Sequence, residues 1–212
     1  MMWKMCRSIT IAGPGLAVGL LMLASVSLAV TTSGNKPLPK FEQVEKTVVG
    51  YFDRLKGYKS GEILSRGLVE PVFRDLERIG WKVAGRKAVL DDVLPDNNTL
   101  VKQLRTPAGK KFARQVAKVP QGYDRLYRLS LLPRGRQNVQ NLIVGPDGYL
   151  MIEYMTTTPE GKNLGGMLSR DPQGKKFNKP TKLIFTVDDL VERLKQEYAV
   201  ATGAKGKPNA QR

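Results

Sequence analysis

Six side chains able to bind anions or to stack on rings recur at a fixed interval of 13 residues. Each directly follows a Pro-x-Gly triplet, and the series consists of Lys110, Tyr123, Arg136, Tyr149, Lys162 and Lys175. A cation beside free N–H groups at a helix start can hold an anion, and an interleaved tyrosine can stack on a base or a sugar ring. The spacing therefore predicts an anion-binding ladder. The alternative interpretation is an exposed first-turn position filled for solubility.

Most catalytic chemistries are excluded by what the chain lacks. It has no histidine and a single cysteine, Cys6, which precedes a long apolar run. Ser-His-Asp and Cys-His catalysis, thiolate or imidazole metal sites and disulfide scaffolding are therefore ruled out. We predict no catalytic residue, no metal ligand and no cofactor, so a non-enzymatic protein is the favoured interpretation.

Carboxylates are the remaining source of catalysis or metal binding. Glu153 lies among Tyr149, Ile152 and Tyr154, surroundings that suit a carboxyl group in glycoside hydrolysis, although no partner carboxylate is indicated. A carbohydrate-active enzyme of the cell envelope is therefore an alternative function. The acidic stretch DDVLPDNN at residues 91–98 offers oxygens for calcium, but its spacing is not that of an EF-hand and favours a solvated turn.

The first 29 residues have the pattern of a secretory signal peptide. Lys4 and Arg7 precede an apolar run from Ile9 to Val30, and Ser27 and Ala29 are small residues suited to cleavage after Ala29. An uncleaved membrane anchor is the alternative, because about 20 apolar residues can span a bilayer. We expect an exported protein, periplasmic or extracellular, with a linker at 30–39, one domain at 40–200 and a disordered tail at 201–212.

Helix signals flank the array of triplets. Apolar residues from Phe41 to Leu55 recur every three or four positions, which predicts a helix. Ser60 is expected to cap a short helical turn, and Pro71 to begin a helix that Gly80 ends. Further caps are expected at Asn97 or Asn98 and, as a capping box, at Thr186 with Asp189, while KLIFTV at residues 182–187 is a plausible single strand.

The Pro-x-Gly array itself covers residues 107–184 in six units of 13 residues. Apolar residues follow each glycine, around the sixth and seventh positions of the unit and at the tenth, which predicts one short helix per unit. Threonine or aspartate before the proline predicts an N-cap at Thr106, Thr158 and Asp171, whereas VPQG, LPRG and GPDG predict type I turns. Each triplet is expected at an element boundary, and Gly135 and Gly148 are expected at positive φ.

These patterns predict a mainly α fold, in which the short helices pack on one another and on the flanking helices because none is stable alone. A β-hairpin formed by NLIV and YLMIEY around GPDG, within an α+β fold, is the alternative.

The stretch LPRGRQNVQNLIVGPDGYLMIEYMTTTPEGKNLG resembles a group of uncharacterised exported bacterial proteins. The resemblance implies export and supplies neither an activity nor a site.

Charge indicates the kind of partner. Residues 107–184 carry 14 basic and 5 acidic side chains, most of the excess in the chain. This surplus favours an anionic polymer or an envelope protein as partner, with unspecific nucleic-acid binding a further possibility. The sequence thus predicts an exported binding or structural module with a basic surface. A purely structural interaction module, in which the charge serves solubility, is the other alternative.

Overall fold

The computed structural model describes residues 37–168 and 183–203, which form ten α-helices without a sheet. The helices are α1 (Phe41–Arg54), α2 (Arg66–Arg78), α3 (Arg86–Asp91), α4 (Thr99–Leu104), α5 (Pro107–Val116), α6 (Gly122–Ser130), α7 (Gly135–Val144), α8 (Gly148–Thr157), α9 (Pro159–Leu168) and α10 (Val187–Ala201). The mainly α prediction is confirmed. The alternative hairpin is wrong, because both of its segments lie in α7 and α8, and the strand expected in KLIFTV is only an isolated parallel bridge between Val93 and Ile184.

Some predicted features lie outside the described residues. They are the signal peptide, most of the linker, nearly all of the sixth unit with Asp171 and Lys175, and most of the C-terminal tail.

Helices α1, α2, α3 and α10 surround one apolar core, and we call this part of the molecule the base. The predicted face of α1 is buried at Val44, Val48 and Phe52. Trp81 is 2% exposed and meets the ring of Tyr198 edge-on at 5.5 Å. The capping box of α10 forms as expected, since Thr186 and Asp189 bond to each other's backbone N–H groups.

Two predicted starts in the base are wrong. No helix follows Ser60, and α2 begins at Arg66, so that Pro71 lies inside it. The reason is a long-range contact: a carboxylate oxygen of Asp96 accepts the Gly67 N–H at 2.8 Å and supplies the cap that the local sequence lacks. The predicted end is confirmed, because Gly80 has φ +97° and the Trp81 N–H returns to the Leu76 carbonyl.

Helices α5 to α9 form the described part of the array, and α4 packs against its first helices. Helix α4 contacts α5, α6 and α7, and α5 contacts α7 and α8. Helix α6 contacts α7 and α8, and α8 contacts α9. Two pairs of helices three apart in the chain, α4 with α7 and α5 with α8, are therefore neighbours in space, so this part of the array winds on itself instead of extending as a flat row.

Three positions of each 13-residue unit point into the array. The third position is always buried among the described units, at Gly109, Gly122, Gly135, Gly148 and Gly161. The seventh is buried as well, at Ala113, Leu126, Val139, Ile152 and Gly165. The tenth is buried at Val116, Leu129 and Met155 and half-buried at Leu142. Steps of four and three residues keep these positions on one helix face.

All five described Pro-x-Gly triplets lie at helix boundaries, as predicted. The N–H groups of Gly109 and Gly161 donate to the hydroxyls of Thr106 and Thr158, at 3.1 and 3.0 Å. The other triplets are hydrogen-bonded turns; in one of them the Gly135 N–H donates to the Leu132 carbonyl at 2.7 Å. Each of these prolines therefore marks the boundary between two consecutive helices.

The expected reason for the glycine is wrong. Positive φ occurs at the middle residue of two triplets, Gln121 (57°) and Arg134 (63°), so these turns are type II instead of type I. The repeat glycines are needed for close approach instead. A Cβ on Gly148 would lie 1.9 Å from the Leu142 carbonyl oxygen, and one on Gly135 would lie 2.2 Å from that of Ser130.

Candidate functional site

The structure places the members of the predicted ladder in different environments. Arg136 and Lys162 are exposed at the starts of α7 and α9, and Tyr149 is half-buried against the array core. Lys110 is held in an ion pair, and Tyr123 is 6% exposed. Lys175 lies outside the described residues. The described members therefore do not form one uniform row of accessible groups.

Lys110 serves a buried carboxylate. Its ammonium lies 3.1 Å from one Glu62 oxygen, and the Arg114 guanidinium lies 2.8 Å from the other. The Lys110 ammonium also donates a hydrogen bond to the Gly57 carbonyl. The Glu62 side chain is only 6% exposed, and a buried carboxylate must be paired to be tolerated. Lys110 and Arg114 therefore tie α5 to the segment between α1 and α2.

Tyr123 joins the array to the base. Its hydroxyl donates to the Gly61 carbonyl at 2.6 Å and lies 3.2 Å from the Ala113 carbonyl. Its ring stacks on Phe185 with centroids 5.5 Å apart. Burial, assisted by the charges of Tyr58 and Glu62, raises the pKa of Tyr123 above its ordinary value. The ring is therefore packed in the core, where it cannot stack on a base or sugar of a ligand.

Five other cations remain exposed on the array. Within the described residues no ion pair forms at Lys111, Lys118, Arg134, Arg136 and Lys162, which we call the free cations. Helices α5 to α9 carry few carboxylates, and Asp124 among them already pairs with Arg128 at 3.0 Å. Of the ladder members that the structure describes, Arg136 and Lys162 belong to this set.

Most of the carboxylates that could act in catalysis or bind a metal are held in ion pairs. Buried Asp92 forms an ion pair with Arg193 at 3.1 Å, and Asp91 forms one with Arg66 at 3.3 Å. The alternative catalytic residue, Glu153, is an exposed side chain on α8. Within the described ranges no three acidic, histidine or cysteine side chains cluster as a metal site would need.

Asp96 is held by a cluster of donors. Burial works to raise the pKa of its carboxyl, but hydrogen bonds from Ser65, the Gly67 N–H and Arg105 outweigh that effect and keep the pKa below its ordinary value. The distances to Ser65 and Arg105 are 2.7 and 3.1 Å. Nearby, the Asn98 side chain accepts the Leu100 N–H at 2.9 Å, which confirms the expected cap of α4. The acidic stretch at 91–98 is therefore built into the joints between α2, α4 and α10.

An apolar groove that sequence reasoning did not identify lies between α7, α8 and α9, beside the end of α6. Its volume is about 490 Å³. The lining is apolar at Leu129, Leu132, Leu142, Met151, Met155 and Leu164, and polar at Asn138, Asn141 and Asp147. Met151 and Leu164 occupy the sixth position of their units, where the equivalent Phe112 of α5 is buried. The sequence shows the apolar residue at the sixth position of these units, but only the packing of the helices shows in which units that residue stays exposed.

Among residues 37–168 and 183–203, no helix combines the length and apolar character required to cross a membrane. The alternative anchor at residues 9–30 is outside these ranges. Comparison with known proteins finds no family, no curated protein and no solved structure that matches this chain, so its resemblance to exported bacterial proteins stays a prediction.

Proposed function

We propose that the protein is an exported, non-enzymatic binding module whose array holds an anionic polymer of the cell envelope. The observation that carries the proposal is the set of free cations on helices α5 to α9 and in the turns between them. Exposed cations without acidic partners produce a positive surface potential, which attracts polyanions and raises their local concentration. Wall polymers and acidic glycans are the expected ligands, because an exported chain meets them first.

The proposed surface differs from the ladder predicted by spacing. Lys110 and Tyr123 are left out, since both are committed to the joint between array and base. Arg136 and Lys162 are retained, and Lys111, Lys118 and Arg134 are added because they are exposed without an ion pair. Binding through such a surface depends on salt more than on the sequence or structure of the polymer.

The experiment is chromatography of the protein on heparin, duplex DNA, isolated wall material and a neutral glycan at several salt concentrations. We expect salt-sensitive retention by the polyanions and none by the neutral glycan. Changing Lys111, Lys118, Arg136 and Lys162 to Gln should weaken retention. On duplex DNA the log–log salt slope should flatten by up to about 3.6, because each phosphate contact contributes about 0.9.

A matched variant changes Lys46, Lys56, Lys82 and Arg74 to Gln, all exposed and on the base. It removes the same number and types of charge outside the array. Equal loss of retention in the two variants would show that only net charge matters, and the proposal would be refuted. Turnover of a glycan by the protein would instead support the enzymatic alternative.

Export requires residues 1–29 to act as a signal. Sequencing of the mature protein is expected to find Val30 at the N-terminus. A membrane-bound chain that retains Met1 would contradict this and favour the anchor.

A further inference from the structure

We infer that the anionic polymer of the proposed function is an acidic polysaccharide, and that it binds where the end of α4 meets the starts of α5 and α7. Four exposed cations lie at these helix ends, and we call them the basic junction: Lys102, Lys111, Arg134 and Arg136. The inference rests on the proposed function and narrows the binding surface to this junction. It also adds Lys102, which lies on α4, outside the 13-residue units.

The three helix ends of the basic junction meet at Gln103 of α4. A Cβ on Gly109, in the first turn of α5, would lie 2.1 Å from the Gln103 carbonyl oxygen. The Gln103 side-chain amide donates to the carbonyl of Arg136, in the first turn of α7, at 2.8 Å. Helices α4, α5 and α7 also contact one another pairwise. The packing therefore brings together cations that are spread over residues 102–136.

No carboxylate in the described part of the chain neutralises the basic junction, because its four side chains form no ion pair there. Helices α4 to α7 contain one acidic residue, Asp124, and it pairs with Arg128. Glu62, which reaches α5 from the base, is shared by Lys110 and Arg114. Unpaired like charges held close together raise the local positive potential, which attracts a polyanion.

The second part of the array has the opposite charge balance. Residues 107–145 carry eight basic side chains and one acidic, whereas residues 146–168 carry one basic side chain, Lys162, and three acidic. Those three carboxylates form no ion pair with any described residue, and they would repel a polyanion. The polymer is therefore expected on α4, α5 and α7, and not on α8 and α9.

The sign of the charge argues against the chain itself as the occupant of the junction. The residues outside the described ranges carry 11 basic side chains and one acidic, so none of these segments complements a positive surface. A second copy has the same formal net charge, +16 for the full sequence, and is repelled as well. An anionic partner is the complement that remains.

The first unit of the array shows how one helix turn holds a carboxylate. Lys110 and Arg114, at the fourth and eighth positions of that unit, contact the two oxygens of Glu62. The same positions of the third unit are Arg136 and Gln140, and both are exposed. Residues four apart share a helix face, so the guanidinium and the amide can each donate to a carboxylate, and the amide can also bond sugar hydroxyls. This pair favours a polymer that bears carboxylates and hydroxyls, which is an acidic polysaccharide.

The probe for this ligand class is a fluorescently labelled oligogalacturonate, which carries one carboxylate on each sugar. It is titrated with the full chain and followed by fluorescence anisotropy, beside a neutral glycan of the same length and an oligothymidylate of the same charge. We expect saturable, salt-sensitive binding of the oligogalacturonate, weaker binding of the oligothymidylate and none of the neutral glycan. Tighter binding of the oligothymidylate would assign the junction to nucleic acid and overturn the polysaccharide.

Two double variants that lose the same charge locate the surface. The junction variant is Lys102→Gln with Lys111→Gln, and the matched variant is Lys118→Gln with Lys162→Gln; all four lysines are exposed. At about 50 mM salt the junction variant should weaken oligogalacturonate binding about tenfold or more, and the matched variant less than about twofold. On oligothymidylate the log–log salt slope should flatten by about 1.4 in the junction variant, because each contact on a single strand contributes about 0.7.

A charge-conserving variant separates loss of charge from loss of structure. Lys102→Arg with Lys111→Arg should bind the oligogalacturonate as the wild type does, and thermal melting checks that each variant is folded. Failure of this variant to bind while it remains folded would refute a contact made through charge.

The outcomes distinguish this inference from the proposed function. Absence of salt-sensitive polyanion binding would refute both. Salt-sensitive binding that the matched variant weakens as much as the junction variant does would refute the basic junction and leave the wider set of free cations as the surface. An oligogalacturonate affinity that the junction variant leaves unchanged would refute the junction in the same way.

Discussion

Replacing Gly148 with Ala tests how the array is held together. Gly148 begins α8 and lies against the end of α7, where its added Cβ would be 1.9 Å from the Leu142 carbonyl oxygen. The obstructing atom is backbone, so no side-chain rotation can relieve the contact. Helix α8 would have to move away from α7 as a unit.

The magnitude follows from the size of that movement. Reaching the 3.4 Å of ordinary contact from 1.9 Å requires a shift of about 1.5 Å. Such a shift loosens the packing of Ile152 and Met155, which are 0% and 2% exposed. Overpacking of a core typically costs about 1–3 kcal/mol, and a backbone clash belongs at the upper end. We expect the free energy of unfolding to fall by about 2–3 kcal/mol, which with an m-value of about 2 kcal/mol/M lowers the urea midpoint by about 1–1.5 M.

Two other glycines separate close packing from backbone conformation in the same urea titrations. Gly50 lies inside α1, and its nearest contact would be Arg54 at 3.7 Å, so Gly50→Ala should stabilise by about 0.5–1 kcal/mol through helix propensity. Gly80 has φ +97° and open space around it, so Gly80→Ala should cost about 1–2 kcal/mol from conformation alone. If Gly148→Ala is as well tolerated as Gly50→Ala, the close-approach explanation of the repeat is wrong.

Three further predictions concern single contacts. Gln121→Gly should stabilise the protein by about 0.5–1 kcal/mol, because Gln121 has left-handed backbone angles that glycine adopts without strain. Gln140→Gly within α7 should instead destabilise it by about 1 kcal/mol. The prediction requires the two changes in unfolding free energy, measured in urea, to have opposite signs. Tyr123→Phe should cost about 1–2 kcal/mol, because the Gly61 carbonyl loses its donor, and an unchanged midpoint would contradict the assigned bond. Folding lowers the pKa of Asp96, so the stability that its charged form contributes is present above pH 3.8 and is lost as the pH falls through the lower folded pKa. Asp96→Asn should therefore reduce the slope of the unfolding free energy against pH below 3.8. An unchanged slope would count against this role of Asp96.

Features determined by local sequence could be predicted. The face of α1, the Asn98 cap, the Thr186 capping box and the boundaries at the triplets follow from residues within a few positions of one another. Hydrophobic periodicity and capping act over that range, and the 13-residue repeat presents the same helix pattern several times, which makes it easier to recognise. The helical interpretation of α7 and α8 succeeded for the same reason.

Features determined by distant contacts could not be predicted. The start of α2 depends on Asp96, which bonds to Gly67 from 29 positions away. Lys110 and Arg136 occupy the same position of their units, yet only Lys110 faces a buried carboxylate, Glu62, from 48 residues earlier. A repeat in sequence fixes what each unit offers, while the neighbours that it meets decide whether a group is buried, paired or exposed.

The two halves of the base come from segments that lie far apart in the sequence, and this bears on the order in which parts of the protein can fold. Tyr198 donates to the Pro39 carbonyl across 159 residues, and Leu190 and Leu194 of α10 complete the core of α1 and α2. The array needs mainly contacts between nearby units, which close quickly during synthesis, whereas the base also needs α10. A chain truncated after α9 would therefore lack α10, and the uncovered apolar core of α1 and α2 would attract chaperones and proteases.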